Sequence, residues 1–243
     1  MTGKTAGVIG GSNGFGRGIV TALHAQGMRI IAIAKNKEHL DTLKNDLKGT
    51  ICGNVTDPVL AARVIEEEKP HVLVLNAGAR GINRPTRLHT WETFSTQYEV
   101  DLKSAFYWVR EALNSPLDNG STIILGSSGA ALRPMFVNAA YAAAKAAIWA
   151  FALGVAGEAE QFGIRVHCLL PIMAAESEVG SQALRDFSKY TGVPVEKIIE
   201  QKDMKPFVTP EIVGNAVVKI LTDPTKSSTV GFRITGTEVI PVR

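Results

Sequence analysis

The stretch Thr5-Ala6-Gly7-Val8-Ile9-Gly10-Gly11-Ser12-Asn13-Gly14-Phe15-Gly16-Arg17 joins a short apolar run to the start of an amphipathic one through a glycine-rich turn. Glycines at 10, 14 and 16 let the backbone turn tightly. They also let a pyrophosphate approach the N-terminus of the following helix, where unpaired N–H groups point outward. The spacing differs from G-x-G-x-x-G, and many tight strand-to-helix turns use glycine for packing alone. Two readings stand at this point: a phosphate cradle drawing on Gly10, Ser12, Asn13, Gly14, Phe15 and Gly16, or a purely structural turn.

Outward from this turn, short β-branched runs alternate with longer amphipathic stretches, the rhythm of a parallel sheet covered by helices on both faces. Strands are expected near residues 5–9, 28–34, 49–52, 71–75, 121–126, 164–170 and 232–240. Helices are expected near 15–26, 37–47, 57–68, 91–113, 138–161 and 209–221. Right-handed crossovers between parallel strands leave a doubly wound α/β sheet as the natural solution. No Gly/Ser or Pro-rich linker and no internal repeat divides the 243 residues, so a single domain over 1–243 is expected. The exception to the rhythm is 171–208, too long for a strand-to-helix connection and helical only near 178–190 and 194–202. An insertion of that size after a strand reads as a substrate lid.

Composition narrows the classes. With 45% hydrophobic and 20% charged residues the chain has the proportions of a globular protein with a sizeable core, which excludes disorder as its main state. The net charge of +3 is spread along the chain without a run of Lys or Arg, which argues against nucleic-acid or membrane-surface binding. Cys52 and Cys168 lie far apart with no CxxC pair, so neither a disulfide framework nor a metal site is suggested, and both read as reduced core residues. No secretory leader is seen, and no apolar run is expected to approach the roughly 20 residues of a membrane helix. A cytoplasmic location follows as the expectation.

At the end of the second strand a dinucleotide fold usually places an acid for the adenosine ribose or a base for a 2′-phosphate. Here Ala32-Ile33-Ala34-Lys35-Asn36 has no acid at its tip, and Lys35, helped by Ser12 and Asn13, suits NADP(H) better than NAD(H). A solvated lysine is the alternative. The sharper signal is Tyr141-Ala142-Ala143-Ala144-Lys145, because residues four apart on a helix share a face. A phenol titrates near 10, so acting at neutral pH asks for a shift of about 3 units, roughly 4 kcal/mol. A unit charge about 4 Å away at an effective dielectric near 20 supplies about that much. Lys145 is placed to do most of it, and a cationic oxidised nicotinamide would add to it. Such a pair is also a common accident of helix surfaces. Ser128, thirteen residues before Tyr141 and just after Ile123-Ile124-Leu125, changes that weighting, since a hydroxyl at a strand end can bind the carbonyl that Tyr141 protonates.

In these features the chain resembles the classical short-chain dehydrogenase/reductase family over nearly its whole length. The matching pieces are Gly10-x-x-x-Gly14-x-Gly16, Asn76-Ala77-Gly78 after the fourth strand, Ser128, Tyr141-x-x-x-Lys145, and Gly163-Ile164-Arg165-Val166 followed by Pro171. The resemblance implies a single Rossmann domain whose seven-stranded parallel sheet has the order 3-2-1-4-5-6-7. It also implies hydride transfer between a nicotinamide and a carbonyl or alcohol. Tyr141 would be the general acid or base, Lys145 would bind the nicotinamide ribose and lower the Tyr141 pKa, and Ser128 would polarise the substrate. Asn54 and Val55 would contact adenine, the backbone of Asn76, Ala77 and Gly78 would line the cofactor, and Pro171, Ile172 and Ala174 would meet the carboxamide.

The departures are as informative. The family usually has Asn where this chain has Asp101, and there the main chain holds a water that contacts the catalytic lysine. A main-chain role survives the change, but an ionised Asp101 would pair with Lys145 and cancel part of the charge acting on Tyr141. Pro-Gly becomes Pro171-Ile172, a frequent Thr becomes Glu176, the adenine-site Asp becomes Asn54, and the chain finishes Val242-Arg243 without Asp-Gly-Gly. Arg80, Arg84, Arg87 and Arg133 near the site offer bidentate partners to an anionic substrate, or are solvated loop residues and subunit contacts. Met173, Leu184, Phe187 and Tyr190 of the lid, with Phe136 and Val137, suggest an apolar pocket wall. Small residues along 138–161 suit close helix packing, and the family resemblance implies a homotetramer, with a homodimer as the second choice. The leading expectation is an NADP(H)-preferring oxidoreductase acting on a small-molecule ketone or secondary alcohol, with NAD(H) as the other possible cofactor. The alternative is a nucleotide-binding regulatory or scaffold protein of the same fold without turnover. A family dehalogenase fits less well, since those replace the lysine with arginine and lose the glycines.

Overall fold

The computed structural model describes residues 1–43, 47–175, 177–201 and 205–242. Glu176, and the parts of the expected helices at 44–46 and 202, lie outside them. The glycine-rich turn leads from strand β1 (Thr5–Ile9) into helix α1 (Gly14–Ala25). The strands that follow are β2 (Arg29–Ala34), β3 (Gly49–Cys52), β4 (Val72–Leu75), β5 (Thr122–Gly126), β6 (Arg165–Pro171), β7 (Gly231–Ile234) and β8 (Val239–Val242). They form one sheet of order β3-β2-β1-β4-β5-β6-β7-β8. β1 to β7 pair in parallel, with Val8 set between Ala32 of β2 and Val74 of β4. Both faces of the central strands are covered, which is why they read as continuous apolar runs.

Helices α1 and α9 (Pro210–Thr222) cover one face, packing Ile19, Leu23, Val213 and Val217 onto Val8, Ile30 and Phe232. On the other face lie α3 (Pro58–Glu68), α5 (Lys103–Asn114) and α6 (Ala139–Glu160), where Ile65, Trp108 and Ile148 meet Ile9, Leu73 and Ile123. Short helices α2 (Lys37–Asp41) and α4 (Trp91–Phe94) sit in the connections. The long insertion after β6 forms α7 (Glu178–Thr191) and α8 (Val195–Gln201), which close on a small core of their own around Ala175, Leu184 and Ile198. Start signals are local: Asp57 caps α3 through Val59 N–H with Pro58 behind it, and Ser177 caps α7 through Gly180 N–H.

Three expectations change. The strand expected over 232–240 is a hairpin, and its second arm, β8, adds an eighth, antiparallel strand to the seven expected. The reversal is made by Thr235, which takes Glu238 N–H on its hydroxyl and donates its own N–H to the Glu238 carbonyl. The helix expected over 91–113 is broken into α4, a π-helical turn at Tyr98–Leu102 and α5. Thirdly, α6 is long and apolar enough to cross a membrane by length and composition, contrary to the expectation that no run comes close. Here it lies across the sheet instead, burying Ala140, Ala144, Lys145, Ile148 and Ala152.

Candidate active site

In a doubly wound sheet ligands bind beyond the carboxyl ends of the strands, and the expected site residues gather there. After β1, Gly10 has φ +81° and Gly14 φ +51°, a region that side chains with a Cβ avoid. A Cβ on Gly10 would stand 2.6 Å from the Ala77 backbone, and one on Gly16 2.0 Å from the Gly10 carbonyl. The turn therefore packs against the end of β4, so its glycines serve structure and site together. Asn13 is exposed and caps α1 by accepting Gly14 N–H at 2.8 Å, Ser12 is buried, and Phe15 packs half-buried on the core. Beyond β2, Lys35 is exposed, and its carbonyl accepts the Cys52 thiol at 3.3 Å. Cys52 is thus exposed rather than a core residue, whereas Cys168 is buried as expected.

Asn54 folds its Oδ1 back onto Thr56 N–H and hydroxyl, and the buried Val55 gives its carbonyl to Trp108 Nε1 at 2.9 Å. Asn76, Ala77 and Gly78 follow β4, with the Asn76 side chain against Gly16 and Gly126. Pro171 ends β6, Ile172 N–H donates to the Ile234 carbonyl, and Ala174 is buried under the start of α7.

The catalytic candidates meet between β5 and α6. Ser128 follows β5 in extended conformation and accepts Ala130 N–H at 3.2 Å. Tyr141 and Lys145 stand one turn apart on α6, with the ammonium 5.7 Å from the centre of the phenol ring. Lys145 is buried, and its Nζ lies 2.9 Å from Asp101 Oδ2 and 3.3 Å from the Gly126 carbonyl. Asp101 is itself buried, and its Oδ1 accepts Ala79 N–H at 2.7 Å. The ion pair weighed in the sequence between Asp101 and Lys145 is therefore made. Burial is the largest single influence and pulls the Lys145 ammonium down, but the Asp101 carboxylate, through charge and hydrogen bond, together with Tyr141 and Cys168 outweighs it and holds the group above its ordinary value. The Cys168 thiol nearby is pushed up to about 12 by burial, and is therefore neutral.

Of the loop arginines, Arg84 turns inward and donates to Thr93 Oγ1 at 2.7 Å, while Arg87 and Arg133 are exposed. The segment after β6 reaches across to this side of the molecule. Asn83 Nδ2 donates to Asp186 Oδ2 at 3.2 Å, and Phe136 meets Phe187 at 5.7 Å between ring centres.

Three polar residues escaped the reading of the sequence. Ser127 donates to the Lys145 carbonyl at 2.7 Å and ties the end of β5 to α6, and Asn138 accepts Met135 N–H at the entry to α6. Gln97, 1% exposed, lies under Gly81 with both amide atoms unpartnered. Neighbouring serines at 127 and 128 gave a signal for the first; nothing local marks Gln97.

The sequence profile described as short chain dehydrogenase matches residues 4–186. The chain belongs to the short-chain dehydrogenase family. It is accordingly an oxidoreductase of the kind that acts on CH–OH groups. A 3-oxoacyl-[acyl-carrier-protein] reductase of Rickettsia bellii is 31% identical over 181 residues, covering 70% of this chain and 73% of its own. Human L-xylulose reductase is 26% identical over 227 residues, covering 92% and 91%. Among solved structures, NAD⁺-bound xylitol dehydrogenase superimposes with a TM-score of 0.86 at 20% identity, covering 97% of this chain and 98% of the other, which is a likeness of fold.

Proposed function

We propose that this short-chain dehydrogenase is an NADP(H)-preferring reductase that moves a hydride between nicotinamide and a ketone or secondary alcohol, with Tyr141 handling the proton. The observation that carries the reading is the buried Lys145 ammonium, one helical turn from Tyr141 and 5.7 Å from its ring, at the carboxyl edge of the sheet. The residues present fit a dinucleotide: a Cβ on Gly14 would meet nothing within 4 Å, so the N-terminus of α1 is open, and no acid ends β2. When bound, the reduced nicotinamide supplies the hydride. Gly10 through Gly16 would hold the pyrophosphate, Lys35 the 2′-phosphate, and Lys145 the nicotinamide ribose. Ser128 would donate its hydroxyl to the substrate carbonyl oxygen, and Tyr141 would pass its phenolic proton to that oxygen as the carbon is reduced. The segment 171–208 would act as the lid, with Phe136 and Phe187 as an apolar wall. The relatives point to a ketose or a 3-oxoacyl thioester as the carbonyl compound. Exposed Phe106 on α5 and Leu153 on α6 would be covered in a homotetramer or homodimer, which light scattering decides.

The test follows NADPH oxidation in the presence of L-xylulose and of a 3-oxoacyl thioester. Turnover of either is expected, and Tyr141→Phe should lower it at least about a thousandfold while NADPH still binds. A variant that keeps most of its rate would remove Tyr141 from the mechanism. NADPH binding with no turnover of any carbonyl would point to a nucleotide-binding scaffold.

A further inference from the structure

We propose that Asp101 is a positioning residue that locks Lys145 into an internally neutral pair, so that Tyr141 stays in the phenol form, the form that carbonyl reduction uses, near neutral pH. The proposal rests on the role of Tyr141 as proton donor. Its geometry is that of a built contact. Asp101 reaches Lys145 from the π-helical turn at Tyr98–Leu102, and its second oxygen is fixed by Ala79 N–H. The carboxylate packs so closely on the loop after β4 that a Cβ on Gly78 would stand 3.0 Å from Oδ2. Its side chain is 1% exposed, so solvent does little to screen the pair.

Among the described residues, the groups facing Lys145 are few. Tyr141 comes from α6, Asp101 from the π-helical turn, and from β6 the Cys168 thiol, which is neutral. β5 offers the Gly126 carbonyl, and Ser127 beyond it holds the Lys145 backbone. A lone ammonium beside a phenol favours the phenolate, whereas an ammonium bonded to a carboxylate presents a dipole whose field falls off faster. Reduction uses the phenol and oxidation the phenolate, so the pair extends the pH range over which the form used for reduction is populated and leaves the overall equilibrium unchanged. A carboxamide at 101 would keep an acceptor for Ala79 N–H but bring no charge.

The test needs no substrate. The phenolate absorbance of the free protein is titrated from about pH 6 to 11, and the curve of the matching Tyr141→Phe variant is subtracted to isolate Tyr141. The midpoint in Asp101→Asn is expected about one pH unit or more below that of the unsubstituted protein. Equal midpoints would overturn the proposal, and they are also what a purely structural anchor for Ala79 would give. Should the variant fail to fold, ¹³C NMR of the Asp101 carboxyl in the unsubstituted protein decides. An ionised carboxylate from pH 5 to 9 supports the pair, and a protonated one at neutral pH overturns it. Failure here is separable from failure of the reductase reading. Equal midpoints with NADPH turnover remove Asp101 alone, while a lowered midpoint without any turnover supports the pair and removes the reductase.

Discussion

The residues of the candidate site were legible in the sequence to unequal degrees. Tyr141 and Lys145 were readable because a spacing of four is a property of the helix itself, and Ser128 because it follows an apolar strand. Lys35 was readable as a basic tip where an acid is usual. Its contact with a 2′-phosphate would be charge-assisted, at about 1.5–3 kcal/mol. Lys35→Ala is therefore expected to weaken NADPH by about 10- to 100-fold and NADH by little, as fluorescence titration would show; equal losses would take Lys35 out of the site. His167 carried no such signal. It is fully buried in β6, with Nδ1 2.8 Å from the Thr229 carbonyl and Nε2 unpartnered. A carbonyl only accepts, so Nδ1 carries a proton; a second proton on the buried, unpartnered Nε2 would be a desolvated charge, which leaves the ring neutral. Burial, aided by Arg165, holds its pKa below the ordinary value of 6.5. As pH falls through 6.5 the unfolded chain takes up the proton first, so stability is full above that pH and declines below it. Urea midpoints should fall from pH 7 to pH 5, the unfolding free energy dropping by at most about 1.4 kcal/mol per pH unit through this residue. His167→Asn should reduce that slope, leaving the share of His71 and His89, which burial also lowers.

At the scale of elements, type was clearer than continuity. The apolar period through 91–113 is helical throughout, yet the chain breaks into α4, a π-helical turn and α5. The extra residue of the π-helical turn re-aims a side chain, which periodicity cannot show. The last strand split for a converse reason, since both arms of a tight hairpin share one β-branched composition and the turn residues Thr235 to Glu238 include only one glycine. Helix contacts are equally silent in sequence. α1 crosses α9 so closely that a Cβ on Gly18 would lie 2.0 Å from the Pro210 carbonyl, and one on Gly214 2.3 Å from the Gly18 carbonyl. Alanine at 18 would gain about 0.5–1 kcal/mol of helix propensity. Parting two packed backbones costs more, about 1–3 kcal/mol. Gly18→Ala should therefore lower stability by about 1–2 kcal/mol in chemical denaturation, and a stabilised variant would show that the helices separate freely.

Across the whole molecule, two apolar layers clamp one sheet, and the site lies along its carboxyl edge where both layers end. Within one of these layers Trp108 ties α5 to the loop after β3 by donating to the Val55 carbonyl, 53 positions away. A ligand that spans β1 to β6 would bind only the folded sheet, so NADPH at about 100 times its Kd should add about 2.7 kcal/mol. For a chain of this size that raises Tm by about 5–10 °C. No rise with NADPH or NADH at millimolar concentration would count against a dinucleotide site. The alternation of strand and helix, the glycine turn and the spacing of Tyr141 and Lys145 were determined by the sequence alone, because each depends on residues within a turn or two of one another. The tertiary structure decided the closed pair of Asp101 with Lys145 and the burial of Gln97 and His167. Those depend on which distant segments meet, and no local periodicity carries that information.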